Sequence, residues 1–181
     1  MALTALRVRV PSAAFVFINP DYKMIKTCTF CSLAKKDYFF ENEYFFSRFD
    51  LFPVSPGHAE IIPKRHFSSF LELNDMEWKQ LKPAIHQTIK LIGMSDFTKI
   101  YNDLIMRAFN ESSTKFCIKM LSHIGINKTP DAYNIGINEG EAAGRTVPHL
   151  HIHIIPRYKG DVSDSTGGVR NIIPGMGKYY K

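Results

Sequence analysis

Cysteine is scarce in this chain. Three in 181 residues, an odd count, exclude a disulfide-framed scaffold and point to a reducing compartment. Long hydrophobic runs are missing too. No stretch approaches the 18 or so consecutive apolar residues of a membrane-spanning helix. The short run Ala13–Ile18 is bracketed by Pro11 and Pro20 with no Ala-x-Ala site after it, so it reads as a strand rather than a secretory leader. A cytoplasmic location without a membrane partner is the expectation. Acidic residues are in deficit: 23 Lys+Arg against 17 Asp+Glu give a formal charge of +6, which favours an anionic partner. The cations are dispersed and accompany no recognition motif, so no nucleic-acid role is expected. Neither internal repeats nor a clear domain boundary can be found.

What is present is a packed-core composition. The chain is 45% apolar and 22% charged, with a mean hydropathy of -0.14, which places it in the globular range. Its length suits a single domain over 1–181. Tyr38–Phe49 is rich in β-formers and broken by a turn at Glu41-Asn42-Glu43, and Ala59–Lys64 reads as a short strand. Asn74 with Glu77 three residues later predicts a helix N-terminus, and Trp78, Leu81, Ile85, Ile89 and Ile92 then recur at helical spacing. Pro83 should kink this helix. Phe97–Ile124 reads as a helical hairpin interrupted at Asn110–Thr114. Tyr133, Ile135 and Ile137 alternate with Asn134, Gly136 and Asn138, which predicts a strand, and a long Gly-containing loop leads to a second strand at His149–Ile155. The tail, 161–181, reads as irregular.

The chemistry concentrates at His149, His151 and His153. In a strand such residues share one face about 7 Å apart, while Leu150, Ile152 and Ile154 cover the other. A solvated face is one reading, although clustered neutral imidazoles usually bind or react. Three ligands on one strand converge poorly on a single zinc ion. A neutral imidazole attacking phosphorus, with neighbouring donors neutralising the oxygens, suits a basic protein better. Cys28-Thr29-Phe30-Cys31 is a lone C-x-x-C: a candidate metal half-site, a redox pair with no βαβ pattern around it, or two metal-free thiols. Cys117 reads as an ordinary buried thiol.

The segment His149–Ile155, preceded by Asn138 and Gly144-Arg145-Thr146-Val147, resembles the histidine triad (HIT) family of nucleotide hydrolases and transferases. Asp50–His58 and Ile61–His66 are similar to that family's first block, in the expected order. The tail Gly167–Arg170 with Ile173-Pro174 and Tyr179 looks like a bacterial branch of diadenosine polyphosphate hydrolases. The resemblance covers about residues 27–95 and 130–180, which makes the helical hairpin at about 97–124 an insertion.

It implies an α+β fold with about five antiparallel strands flanked by helices, a nucleotide or dinucleoside polyphosphate substrate, and frequent homodimers. It makes His151 the nucleophile that carries the nucleotidyl group, with His153 and His58 beside the phosphate and Thr146 near the bridging oxygen. Asp50 falls at the ribose-binding position and Asn138 at a phosphate-side amide. Arg145 stands where relatives commonly carry Gln, and a fixed cation there suits a polyphosphate leaving group. His66 and His149 are implied as the ligands that complete, with Cys28 and Cys31, a structural zinc site. The same motifs also serve a nucleotidyltransferase or phosphorylase, or a non-catalytic nucleotide-binding module.

Overall fold

The structure is a computed structural model that describes residues 28–107 and 109–177. The strand read at Ala13–Ile18, and Tyr179, lie outside the described residues. Five strands form one antiparallel sheet in the order β1-β2-β3-β5-β4: β1 Phe40–Glu41, β2 Phe45–Phe49, β3 Ala59–Pro63, β4 Ala132–Gly136 and β5 Ile152–Arg157. The helices are α1 Asp75–Gly93, α2 Phe97–Arg107 and α3 Glu111–Leu121. None of the described helices is long and apolar enough to cross a membrane.

Alternation gives the sheet two unlike faces. Phe45 and Ser47 of β2, Ala59 and Ile61 of β3, and Ile152 and Ile154 of β5 are buried and belong to the helix-covered side. On that side Ser47 Oγ lies 2.6 Å from Thr88 Oγ1 of α1. The opposite residues, Arg48, Glu60 and His153, align in one cross-strand row. One face is the main core, and the other carries these polar side chains beside a smaller apolar cluster of Phe30, Phe46 and Ile62.

Helix α1 starts where the sequence signals it. Asn74 accepts from the amides of Met76 and Glu77, and Glu77 accepts from the Asn74 amide, a reciprocal cap worth about 1 kcal/mol. Its buried residues are Glu77, Leu81, Ala84, Thr88 and Ile92, not the full apolar set. Trp78 is 57% exposed, because its ring leans edge-on to Phe70 outside the core. The helix runs through Pro83 as one element. Pro83 sits on the exposed side, where water can satisfy the carbonyl that loses its amide partner.

The hairpin break is shorter than the polar run suggests. Asn110 caps α3 by accepting from the Ser113 amide, so Glu111–Thr114 are helical rather than loop. Phe97, Tyr101, Cys117 and Met120 join the main core. The hairpin is therefore integral to the packing. Tyr101 Oη accepts from the Gly57 amide at 2.8 Å, and Gly57, at φ +81°, leaves no room for a side chain because a Cβ would come within 2.6 Å of the Phe97 ring.

Candidate functional site: two clusters fed by one segment

Strand β5 begins at Ile152, three residues later than the alternation suggests. Of the three histidines only His153 lies in the ladder; His149 and His151 belong to the extended lead-in. That lead-in is held by the Leu150 amide, which donates to the Phe67 carbonyl at 2.7 Å. Leu150 is 1% exposed and fixes the segment's facing. The parallel row of rings about 7 Å apart is therefore not what forms. His151 and His153 meet edge to face with centroids 4.9 Å apart, and His149 turns into a separate cluster.

In that cluster His149 Nδ1 lies 3.5 Å from both Cys28 Sγ and Cys31 Sγ and 3.2 Å from His66 Nδ1, while Cys31 Sγ lies 3.3 Å from His66 Nδ1. All four candidate ligand atoms fall within 4.8 Å of one another. Tetrahedral zinc with ordinary bond lengths separates sulfur from nitrogen by about 3.6 Å and nitrogen from nitrogen by about 3.3 Å. The spacing fits. His149 Nε2 is 2.8 Å from the Pro63 carbonyl, a bond that places the proton on Nε2 and leaves Nδ1 unprotonated for a metal. Burial and the neighbouring Cys28 push the Cys31 thiol up to about 11; a bound cation reverses that direction. Soft thiolates paired with imidazoles form a closed donor set that suits a structural zinc ion.

The second cluster is built around His151. Its Nδ1 donates to the His149 carbonyl at 2.8 Å, which leaves the lone pair on Nε2. Phe30 packs edge-on against His151, with centroids 5.2 Å apart, and also against His149. His58 Nε2 is 3.1 Å from His153 Nδ1. The other side of the His58 ring, Nδ1, faces Asp50 Oδ2 at 3.4 Å and the Val54 amide at 3.4 Å. Asp50 Oδ1 accepts from the Phe52 amide, so its carboxylate is oriented by the turn and backs the His58–His153 pair. Burial lowers His151 and His58, and it brings His153 down to about 4, helped by repulsion from His58 and His151. That direction favours the neutral form of all three rings at pH 7.

The remaining sequence candidates lie on the loop before the lead-in. Arg145 Nη1 donates to the Ser68 carbonyl at 2.9 Å, and its charge contributes to lowering His151. Asn138 is half-buried, beside Gly144. Thr146 is exposed, and no hydrogen bond joins Asn138 or Thr146 to the histidines. His86 is exposed, and His123 packs on Tyr158, away from both clusters.

Sequence reasoning passed over a buried ion pair in the polar row. Arg48 Nε donates to Glu60 Oε2 at 2.8 Å, and both residues are less than a tenth exposed. Burial raises Glu60 to about 7 against the pull of Arg48. Opposite charges at interior positions of two largely apolar strands were the available signal. Arg48 also lies over Phe30, 5.0 Å from the ring centroid, so the pair connects to His151 through one aromatic ring.

The model of the HIT domain matches residues 33–160, about 70% of the chain. The chain belongs to the HIT family. The matched span starts just after the two thiols. An uncharacterized HIT-like protein of Methanocaldococcus jannaschii is 29% identical over 138 residues, covering 74% of this chain and 81% of that one. A bis(5'-adenosyl)-triphosphatase of Saccharomyces cerevisiae is 30% identical over 129 residues, 70% of this chain and 47% of the enzyme. The chain thus aligns with about half the length of this yeast relative. A hypothetical histidine triad nucleotide-binding protein of Sulfolobus tokodaii superposes with a TM-score of 0.52 at 27% identity, covering 76% of this chain and 73% of that one.

Proposed function

We propose that this HIT protein hydrolyses nucleotides at the α-phosphate, with dinucleoside polyphosphates as favoured substrates, through a covalent nucleotidyl-histidine. The observation that carries this is the His151 tautomer: Nδ1–H is committed to the His149 carbonyl, so a neutral Nε2 lone pair is held ready as a nucleophile. In the first step Nε2 forms a bond to the α-phosphorus, the bond from phosphorus to the bridging oxygen breaks, and the polyphosphate leaves with the electron pair. In the second step water attacks phosphorus, the phosphorus–nitrogen bond breaks, and the mononucleotide is released with the ring neutral again. His153, backed by His58 and Asp50, is placed to donate to the phosphoryl oxygens as charge develops. Asn138, Thr146 and Arg145 lie on the loop that would flank the leaving group. Asp50 would meet the ribose hydroxyls on the same side.

The similarity to a bis(5'-adenosyl)-triphosphatase supports the substrate class. Cys28, Cys31, His66 and His149 would hold zinc as a structural ion, which would fix the lead-in whose next residues carry the chemistry. No step of the reaction passes through the metal. Homodimer assembly belongs to the same reading.

The test is rapid quenching during turnover of a dinucleoside tetraphosphate in phosphate-free buffer, followed by peptide mass spectrometry. The expected result is a nucleotide-monophosphate adduct on the peptide containing His151, with mononucleotide released. Turnover that starts only on adding phosphate, or no adduct at any time point, would overturn the hydrolase reading.

A further inference from the structure

The turn between β2 and β3 is buried where a loop is ordinarily wet. Ser55, Pro56, Gly57 and His58 are all buried, and a buried turn must find partners for backbone groups that water would otherwise meet. Pro53 and Pro56 carry no amide, which removes two donors from the count. The turn is held from three sides. Tyr101 Oη of α2 accepts from the Gly57 amide at 2.8 Å and donates to the Ser55 carbonyl at 3.4 Å. Tyr158 Oη, just after β5, donates to the Pro56 carbonyl at 2.9 Å. Ser55 Oγ donates to the Pro156 carbonyl of β5 at 2.7 Å.

What the turn controls is the His58 ring. The Val54 amide donates to His58 Nδ1 at 3.4 Å, and Asp50 Oδ2 lies at the same distance from the same nitrogen. These two neighbours ask for opposite tautomers. An amide donor needs a lone pair on Nδ1 and sends the ring proton to Nε2, whereas a carboxylate accepts and draws the proton to Nδ1. With the proton on Nε2, His58 donates to His153 Nδ1, 3.1 Å away, and His153 carries its own proton on Nε2, where a phosphoryl oxygen can take it as a donor. With the proton on Nδ1 the relay reverses: His58 Nε2 accepts from His153 Nδ1, and His153 Nε2 is left with a lone pair.

We propose that Tyr101, seconded by Tyr158, is a positioning residue: by fixing this turn it keeps the Val54 amide on His58 and so selects the tautomers of His58 and His153. The inference rests on the reading above for its use of His153 as a donor, and it gives helix α2 a part in the chemistry. Tyr101 suits the task because its ring is fully buried in the main core and its hydroxyl closes on backbone groups rather than on a movable side chain.

The test is a long-range proton–nitrogen correlation spectrum of the histidine rings at pH 7, which reports the protonated nitrogen without any substrate. Wild-type His58 and His153 should both carry the proton on Nε2. Tyr101→Phe removes only the hydroxyl; it should move a measurable share of both rings to the Nδ1–H form and lower kcat on a dinucleoside tetraphosphate by at least about tenfold. Thr88→Val is the matched control. It removes a buried hydroxyl that meets Ser47 of β2 rather than the turn, so it should lower the melting midpoint yet leave both ring spectra and kcat as in wild type. Tyr158→Phe gives the same ring reading where Tyr101→Phe does not fold. Wild-type rings already on Nδ1–H, rings unmoved in the tyrosine variants, or an equal shift in Thr88→Val would overturn the inference. Moved rings with unchanged kcat would support the tautomer selection and count instead against the donor role of His153.

Discussion

His149 and His151 are two residues apart on one extended segment, yet they enter opposite kinds of environment. His149 gives its Nε2 proton to Pro63 and turns Nδ1 toward two thiols and a second imidazole. His151 gives its Nδ1 proton to the His149 carbonyl and keeps Nε2 for chemistry. The residue type is the same; the backbone carbonyl that captures the proton decides which nitrogen remains, and so which of the two proposed roles, zinc ligand or nucleophile, the ring is set up for. The two clusters are also in series. The carbonyl that orients His151 belongs to His149, so whatever fixes the first ring positions the second.

The sharpest way to break this comparison is to exchange function for stability. His151→Asn should lower kcat by at least about 10³-fold and leave the melting midpoint near wild type, since no metal-cluster ligand is touched. Steady-state turnover beside a thermal melt checks it. Residual activity within tenfold of wild type would mean that the nucleophile lies elsewhere. Cys31→Ser should do the reverse. It removes one of four candidate zinc ligands, so bound zinc by elemental analysis should fall and the melt should drop on the order of 10 °C. If the lead-in then loosens, kcat drops only as far as His151 loses its orientation, by about tenfold or less. Wild-type protein free of zinc, with an unchanged melt in the variant, would leave the four residues as a thiol and imidazole cluster without a metal.

The sequence carried the partners of each cluster further than it carried their geometry. Asp50, His58 and the histidines stand in two separated motifs that an antiparallel sheet brings together; the family resemblance of the two motifs, not their spacing, was what paired them. The strand start was not legible. Alternation through Leu150, Ile152 and Ile154 continues unbroken across the true boundary, and only the Leu150–Phe67 backbone bond, a tertiary contact, shows where the ladder ends. The Arg48–Glu60 pair was hidden for a similar reason. Each charge reads as an exposed strand position until the cross-strand register sets one opposite the other. The hairpin was visible as helices, but its burial depends on Tyr101 reaching the Gly57 turn, which no local pattern encodes.

Acid should separate the clusters next. His153 falls from an ordinary value near 6.5 to about 4, so the folded state binds fewer protons than the unfolded chain between those limits. Its contribution is present in full above about pH 6.5 and is lost as pH falls toward 4. A shift of that size corresponds to roughly 3 kcal/mol. Chemical denaturation at pH 7 and pH 4.5 should show that loss in wild type, and His153→Gln should reduce the difference, leaving the part owed to His58, His149 and His151, which burial also lowers. An equal acid loss in the variant would assign the pH dependence to other groups.

The smallest effect is expected at Arg145, which borders the His151 side of the comparison. Its guanidinium is held by the Ser68 carbonyl and is close enough to contribute to lowering His151, so it both anchors the loop and projects charge. Arg145→Gln removes the charge and shortens the reach to Ser68. A partly exposed charge acting on a solvated polyphosphate is worth about 0.2–1 kcal/mol. KM for a dinucleoside tetraphosphate should therefore rise by about two- to fivefold, and KM for a mononucleotide amidate, which lacks the polyphosphate, should move less. Equal changes for the two substrates would reduce Arg145 to an anchor of the loop, with the histidines left to recognise the phosphates.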